Sequence, residues 1–271
     1  MKSWLIRFRS MLTASSSVLV IILLVGALPQ PAAGEWYLAG YGGASIPFSF
    51  NSVQMNQLGE TLDTQFFSGG QSIPRTGTYS QTLSSSDLRL KQSPLFGGRV
   101  GYFFSDQGFK WLGTELEVFT TTPTIKNQTV NTTHHITFNP FNPEAPGLCI
   151  LGVTCQIQQL ISGTANLPES SMRLIAFTFN VVARYPGKVF QPYAGVGGGA
   201  FYFTSSGAIR GHQVTPGLNA FGGMKVLVLD DWGLFVEGKF TRATITNFDS
   251  VFGLSGEYSS FNVLAGLAYH F

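Results

Sequence analysis

The sequence has few charged residues, few cysteines and, after its first 34 residues, no long apolar run. Of its 271 residues, 11% are charged, against about 25% in an average soluble domain. So little charge does not suit the surface of a soluble enzyme, and a disordered chain would need far more. The 16 Lys and Arg residues are spread along the chain. A nucleic-acid partner is therefore not expected, because it requires a basic stripe or patch.

The first 34 residues have the pattern of a secretory signal peptide. Basic residues precede an unbroken apolar run over 18–28, and small or helix-breaking residues follow it. Eleven apolar residues are too few for a membrane-spanning helix, which needs about 20. We therefore interpret residues 1–34 as a cleaved signal peptide. Cleavage after Gly34 would make Glu35 the first residue of the mature chain.

After residue 34 the dominant pattern is an alternation of apolar and other residues with a period of two. Such a pattern predicts β-strands rather than a transmembrane helix. Each alternating segment is long enough for a tilted strand that crosses a bilayer, which takes about 9–11 residues. The eight segments are 36–46, 94–104, 111–121, 171–185, 190–203, 217–229, 233–245 and 258–271.

The connections between these segments alternate between short and long. The short ones are 105–110, 186–189 and 230–232. The long ones are 47–93, 122–170, 204–216 and 246–257. With a periplasmic N-terminus, every short turn lies on the periplasmic side and every long loop outside, which is typical of bacterial outer-membrane barrels. The sequence therefore predicts an all-β fold over 35–271: an eight-stranded antiparallel up-and-down transmembrane β-barrel in the outer membrane.

Aromatic residues fall at the segment ends on the predicted periplasmic side. Trp36, Trp111, Trp232 and Tyr269 all occupy such positions. Amphipathic rings gather at the level of the lipid headgroups, so we expect these four residues to form part of an aromatic girdle. A soluble β-sandwich would also contain aromatic residues, but it would turn charged residues outward, and these segments contain few.

Charged residues within the segments fall on the face opposite the bulkiest apolar residues, and so toward the barrel interior. This predicted network comprises Arg99, Glu115, Glu117, Arg184, Lys225, Glu237 and Lys239. Buried charges need partners, and we expect Arg99 to face Glu115 or Glu117. We expect Lys225 to face Glu237 if the turn between their strands is 230–232. The network either fills a narrow barrel with ion pairs or lines a gated pore or proton path; eight strands leave room for little more than side chains.

The histidines and cysteines are the residues of this sequence best suited to metal binding or redox chemistry. His134 and His135 are adjacent, so they point to opposite sides of a strand, and no third metal ligand accompanies them. We predict no catalytic residue, no metal site and no cofactor. Cys149 and Cys155 lie in the predicted loop 122–170 of an exported chain, where a disulfide is expected. A free redox pair is the alternative.

Three stretches resemble small outer-membrane β-barrel proteins of the OmpA transmembrane-domain, OmpX and OmpW type. They are GEWYLAGYGGAS at 34–45, PYAGVGGGAFY at 192–202 and FNVLAGLAYHF at 261–271. The resemblance implies that the terminal Phe271 belongs to the signal read by the barrel-assembly machinery. It also implies periplasmic chaperones, outer-membrane lipids and lipopolysaccharide as partners.

Two classes of function follow from these observations. The first is a non-enzymatic structural or surface-interaction protein that presents its extracellular loops, 47–93 and 122–170, to an external ligand. The second is a narrow porin-like channel for small or apolar solutes. Some members of the family are lipid-modifying enzymes, but the sequence shows no catalytic motif for that activity.

Overall fold

The computed structural model describes residues 35–55, 77–140, 157–206, 210–229, 231–248 and 254–271. These residues belong to one compact unit, Glu35–Phe271. In its described residues, the regular structure of the unit is β-strand apart from one short 3₁₀ turn at Ser105–Gln107. The strands are β1 Glu35–Met55, β2 Gly77–Ser85, β3 Leu90–Lys91, β4 Ser93–Phe103, β5 Leu112–Thr121, β6 Thr124–Ile125, β7 Gln128–Pro140, β8 Ile157–Leu167, β9 Ser170–Arg184, β10 Phe190–Ser206, β11 Gly211–Leu227, β12 Trp232–Ile245 and β13 Leu254–His270. Among the described residues, no helix is long and apolar enough to cross a bilayer.

Eight of the strands form a closed antiparallel barrel. Their order around the barrel is β1, β4, β5, β9, β10, β11, β12 and β13, and β13 pairs again with β1. The closing register places Tyr37 opposite His270, while Glu35 is opposite Phe103 on the other side of β1. Each of the eight segments drawn from the sequence falls on one of these strands. The predicted fold is therefore confirmed.

Alternation of the side chains gives the wall of the barrel two different faces. Along β9, from Ser170 to Arg184, every second residue is buried and those between are exposed or half-buried. The outer face carries apolar side chains that are more than half exposed, among them Phe96, Leu116, Phe177, Val196, Leu218 and Val236. Inside, large rings face glycines: a Cβ added to Gly97 would overlap the ring of Tyr41. Small and large residues thus fill the interior together.

The two ends of the barrel differ. We call the end that carries Glu35 and Phe271 the terminal end and the opposite end the loop end. Short connections join the strands at the terminal end, at 104–111, 185–189 and 228–231. At the loop end, the long connections contain further strands. The ranges 47–93 and 122–170, expected to be long extracellular loops, connect barrel strands at this end and contain β2, β3, β6, β7 and β8; their extracellular location stays a prediction.

A polar sheet extends from the loop end. The last residues of β1, Val53 to Met55, pair with β2, which pairs with β7, and β7 pairs with β8. We call β2, β7 and β8 the blade. Most of their residues are polar, as in β7, QTVNTTHHITFNP, although Val130 of this strand is buried. The apolar alternation that located the barrel strands is therefore missing here.

The loop end of the barrel interior is filled by apolar side chains. Leu88 is fully buried, and its backbone exchanges two hydrogen bonds of 2.9 Å with Phe50. Around them, buried side chains come from strands on all sides of the barrel: Leu90, Ile125, Met172, Leu174, Phe203, Ile245, Phe248 and Leu254. We call this cluster the apolar cap.

The charged barrel interior as candidate functional site

The middle of the barrel holds a buried network centred on Arg99. Its Nη1 lies 2.6 Å from Oε2 of Glu237 and 3.6 Å from Oε1 of Glu115. The hydroxyl of Tyr193 donates to the same Glu237 oxygen over 2.8 Å. The Arg99 guanidinium also lies 4.5 Å from the centre of the Phe235 ring. Strands β4, β5, β10 and β12 all contribute to this one cluster, so it ties opposite walls of the barrel together.

A second cluster lies next to the first and shares Glu237 with it. Lys239 Nζ lies 3.3 Å from Oε1 of Glu237 and forms an ion pair with Glu117. The amide of Asn180 donates to both Glu115, over 2.8 Å, and Glu117, over 3.2 Å. Buried tyrosines complete the set: Tyr37 donates to Glu115 and Tyr41 donates to Glu117. Each carboxylate in this region therefore has both a cation and a hydrogen-bond donor, as a buried charge requires.

A third cluster lies at the terminal end. Arg184 forms an ion pair with Glu35, whose Oε1 lies 2.7 Å from Nδ1 of His270. The other ring nitrogen of His270 lies 3.0 Å from Nζ of Lys225. The guanidinium of Arg184 also lies 3.6 Å from the centre of the Phe103 ring. This cluster links the first and last strands of the barrel to β9 and β11.

Glu35 and His270 were not among the predicted network residues. Glu35 was considered only as the first residue of the mature chain. His270, however, carried a usable signal, because it alternates with Tyr269 and Phe271 and so falls on the inner face of the last strand. Glu35 lies two residues before Tyr37 in the same strand, so the alternation along β1 places both side chains on the inner face.

Lys225 does not pair with Glu237, and this expectation was wrong. The predicted turn at 230–232 would place Leu229 opposite Gly233, but the structure pairs Leu227 with Gly233. Lys225 is consequently opposite Phe235, and Glu237 is opposite Gly223. When the centre of the turn moves by one residue, the pairing of the two strands shifts by two residues. Every residue of the hairpin then has a different partner on the opposite strand.

The interior charges balance and leave little space. Among the described residues, four cations, Arg99, Arg184, Lys225 and Lys239, share the interior with the four carboxylates of Glu35, Glu115, Glu117 and Glu237. Between the clusters is a cavity lined by Arg99, Glu115, Tyr193 and Lys225, among others. It has room for about one water molecule.

The four residues assigned to the aromatic girdle lie at the terminal end and face outward. Trp36 packs on Tyr102 with their ring centres 5.1 Å apart, and Trp232 packs on Tyr269 at 5.0 Å. Trp111 is 49% exposed beside the end of β9. Phe271, the predicted assembly signal, is anchored at the same end, because its N–H donates to the Trp36 carbonyl over 3.0 Å.

The residues considered for other chemistry do not come together. His134 is buried in β7 and His135 is exposed on its other face; burial lowers the pKa of His134. Within the described residues, no group of three His, Cys, Asp or Glu side chains could hold a metal ion. Cys149 and Cys155 lie outside the described residues, so their disulfide stays a prediction.

Together these observations define the class of protein. A closed barrel satisfies every strand edge, an apolar outer face suits lipid, and a charged interior is kept away from it. An aromatic girdle at one rim marks a headgroup boundary. The chain is a transmembrane β-barrel of the outer-membrane type.

Comparisons with solved structures give barrels of related shape. The chain is 14% identical to the outer membrane protein OprG from Pseudomonas aeruginosa, covering 88% of this chain and 96% of that one, with a TM-score of 0.42. It is 10% identical to Neisserial surface protein A, covering 88% and 99%, with a TM-score of 0.42. It is 11% identical to the outer membrane protease OmpT from Escherichia coli, covering 90% and 99%, with a TM-score of 0.35. No protein-family model and no curated protein matches the chain.

These structures are outer-membrane and surface proteins in general, and they do not single out the OmpA, OmpX or OmpW type. One of them, OmpT, is a protease.

Proposed function

We propose that the chain is a non-conducting outer-membrane barrel that anchors a polar extracellular sheet for contact with an external ligand, and that it is not an enzyme. The observation that carries the proposal is the filled interior. Paired charges occupy its terminal and middle parts, and the apolar cap occupies its loop end. An ion crossing the barrel would have to break buried ion pairs and then pass a layer of mostly apolar side chains, and both steps are costly.

The blade supports the second part of the proposal. Strands β2, β7 and β8 contain no Asp, Glu, Lys or Arg. One of its faces presents Thr129, Asn131 and Thr133 of β7, all exposed, beside Ser162 and Thr164 of β8. Rows of hydroxyls and amides without charge suit a ligand that is recognised by hydrogen bonds rather than by ion pairs.

The same proposal names the partners of the barrel itself. Outer-membrane lipids and lipopolysaccharide surround its apolar face, which is the natural environment for exposed side chains such as Phe177 and Leu218. During biogenesis the partners are periplasmic chaperones and the barrel-assembly machinery.

Conductance in planar lipid bilayers tests the proposal. The purified protein should give no resolvable current steps, while a general porin reconstituted in the same way gives the steps of an open channel. Stepwise currents from this protein would favour the porin-like channel instead. Incubation with lipopolysaccharide followed by mass spectrometry tests the enzymatic alternative: the mass of the lipid should stay unchanged.

A further inference from the structure

Four basic side chains gather on the outside of the barrel at its loop end, where β3 and β6 meet β9. They are Arg89, Lys91, Lys126 and Arg173, and we call them the basic patch. All four are exposed, and they alternate with buried residues of the apolar cap. They therefore point away from the barrel interior.

Backbone pairing brings the members of the basic patch together. The N–H of Lys126 donates to the carbonyl of Arg89 over 3.0 Å, and Lys91 is opposite Thr124 in the same pair of strands. Thr124 is in turn opposite Ser171 of β9, two residues from Arg173 and on the same face. The patch thus extends across three neighbouring strands.

The patch carries an excess of positive charge at close range. Arg89 and Lys126 face each other across an antiparallel pair, and like charges in this position are destabilising. The side-chain amide of Gln128 holds the backbone of Arg89 with hydrogen bonds of 3.1 and 3.3 Å, so this segment is fixed. Among the described residues, the nearby carboxylates are Glu169, which lies 2.6 Å from Lys91, and Asp87, two residues before Arg89. Counted over these described residues, the patch has a net charge of +2.

The height of the basic patch along the barrel indicates which part of the membrane could neutralise its positive charge. Arg173 is 12 residues from Tyr185, which is 68% exposed at the terminal end. At about 3.3 Å per residue and a strand tilt of about 40°, this separation spans about 30 Å, the thickness of the hydrocarbon core. Exposed apolar residues lie between them: Phe177, Phe179 and Val181. The basic patch therefore lies level with the headgroups of the outer leaflet.

We propose that the basic patch binds the phosphate groups of a phosphorylated glycolipid in the outer leaflet, namely the lipid A part of lipopolysaccharide. Arginine forks bind phosphate through paired N–H donors, and lysines act as point charges beside them. A phosphate between Arg89 and Lys126 converts a repulsive pair into two attractive contacts. The acyl chains of the same lipid would then lie against the apolar face below Arg173.

Lipid A titration of the full chain in detergent tests this site. The double variant Arg89→Gln/Lys126→Gln removes the opposed pair. The control Lys110→Gln/Lys188→Gln also removes two charges, both at exposed residues in the short connections of the terminal end. Each basic residue near an anionic surface changes binding about fivefold. The double variant should therefore bind bisphosphorylated lipid A about 25-fold more weakly than the wild type, and the control should bind like the wild type.

Two further measurements show whether the bound phosphate belongs to a lipid and whether the double variant folds. Dephosphorylated lipid A should bind the wild type as weakly as intact lipid A binds the double variant, and millimolar inorganic phosphate should not displace intact lipid A. Without lipid, the melting temperature of the double variant should equal or exceed that of the wild type, because the repulsion is gone. Equal binding by the double variant and its control, tight binding of dephosphorylated lipid A, or displacement by inorganic phosphate would overturn the proposal.

Discussion

At the scale of single residues, the barrel depends on glycines that allow neighbouring groups to come close. A Cβ at Gly199 would overlap the backbone carbonyl of Phe177 on β9, whereas a Cβ at Gly40 would have no atom within 4 Å. We expect Gly199→Ala to lower the free energy of unfolding by about 1–3 kcal/mol, as overpacking does, and Gly40→Ala to leave it nearly unchanged. Urea unfolding in lipid vesicles measures both. Equal effects of the two substitutions would mean that β9 and β10 are not packed so closely.

The interior charges show how far residue-level prediction reached. The alternation of inward and outward residues along each strand is enough to predict the inner face for Arg99, Glu115, Glu117 and Lys239, and the structure has them there. Partners were harder to predict, because a partner depends on the register as well as on the face. Lys225 shows this. The turn before Trp232 is centred one residue earlier than predicted, so Lys225 is opposite Phe235 and not opposite Glu237.

At the scale of strands, the last strand carries a specific prediction. Phe271 donates a backbone hydrogen bond to Trp36, and its ring stacks on Tyr269 with centres 5.9 Å apart. If the assembly machinery reads this terminal strand, deletion of Phe271 should strongly reduce the amount of folded protein in the outer membrane. Deletion of Gln71, in a long connection, serves as the control and should have little effect. Similar surface levels of both variants would contradict this role of Phe271.

Strands could be predicted where one face meets lipid and not where polar residues predominate without a regular apolar alternation. Lipid requires an apolar residue at every second position, and this requirement made all eight barrel strands visible in the sequence. The blade has no such requirement, so β2, β7 and β8 look like polar loops. The short strands β3 and β6 were missed for another reason: two residues are too few to show a period.

At the scale of the whole molecule, closure of the barrel predicts an unusual response to detergent. A closed barrel has no free edge from which to unravel. The protein extracted in dodecyl sulfate should therefore migrate on a gel at different positions before and after boiling, and its circular dichroism should be that of β-structure. Identical mobility in both samples, or a helical spectrum, would contradict the closed barrel.

The central claim is that paired charges fill the barrel, and a double-mutant cycle on Arg99 and Glu237 in lipid vesicles tests it most directly. Arg99→Met or Glu237→Met alone leaves a buried charge without its partner and should cost about 3–5 kcal/mol. The double variant should cost much less than the sum. Arg184→Met with Glu237→Met is the control and should be additive, because Arg184 pairs with Glu35. Small, additive losses for Arg99 and Glu237 would show that both charges are solvated in a water-filled interior, and the account would be wrong.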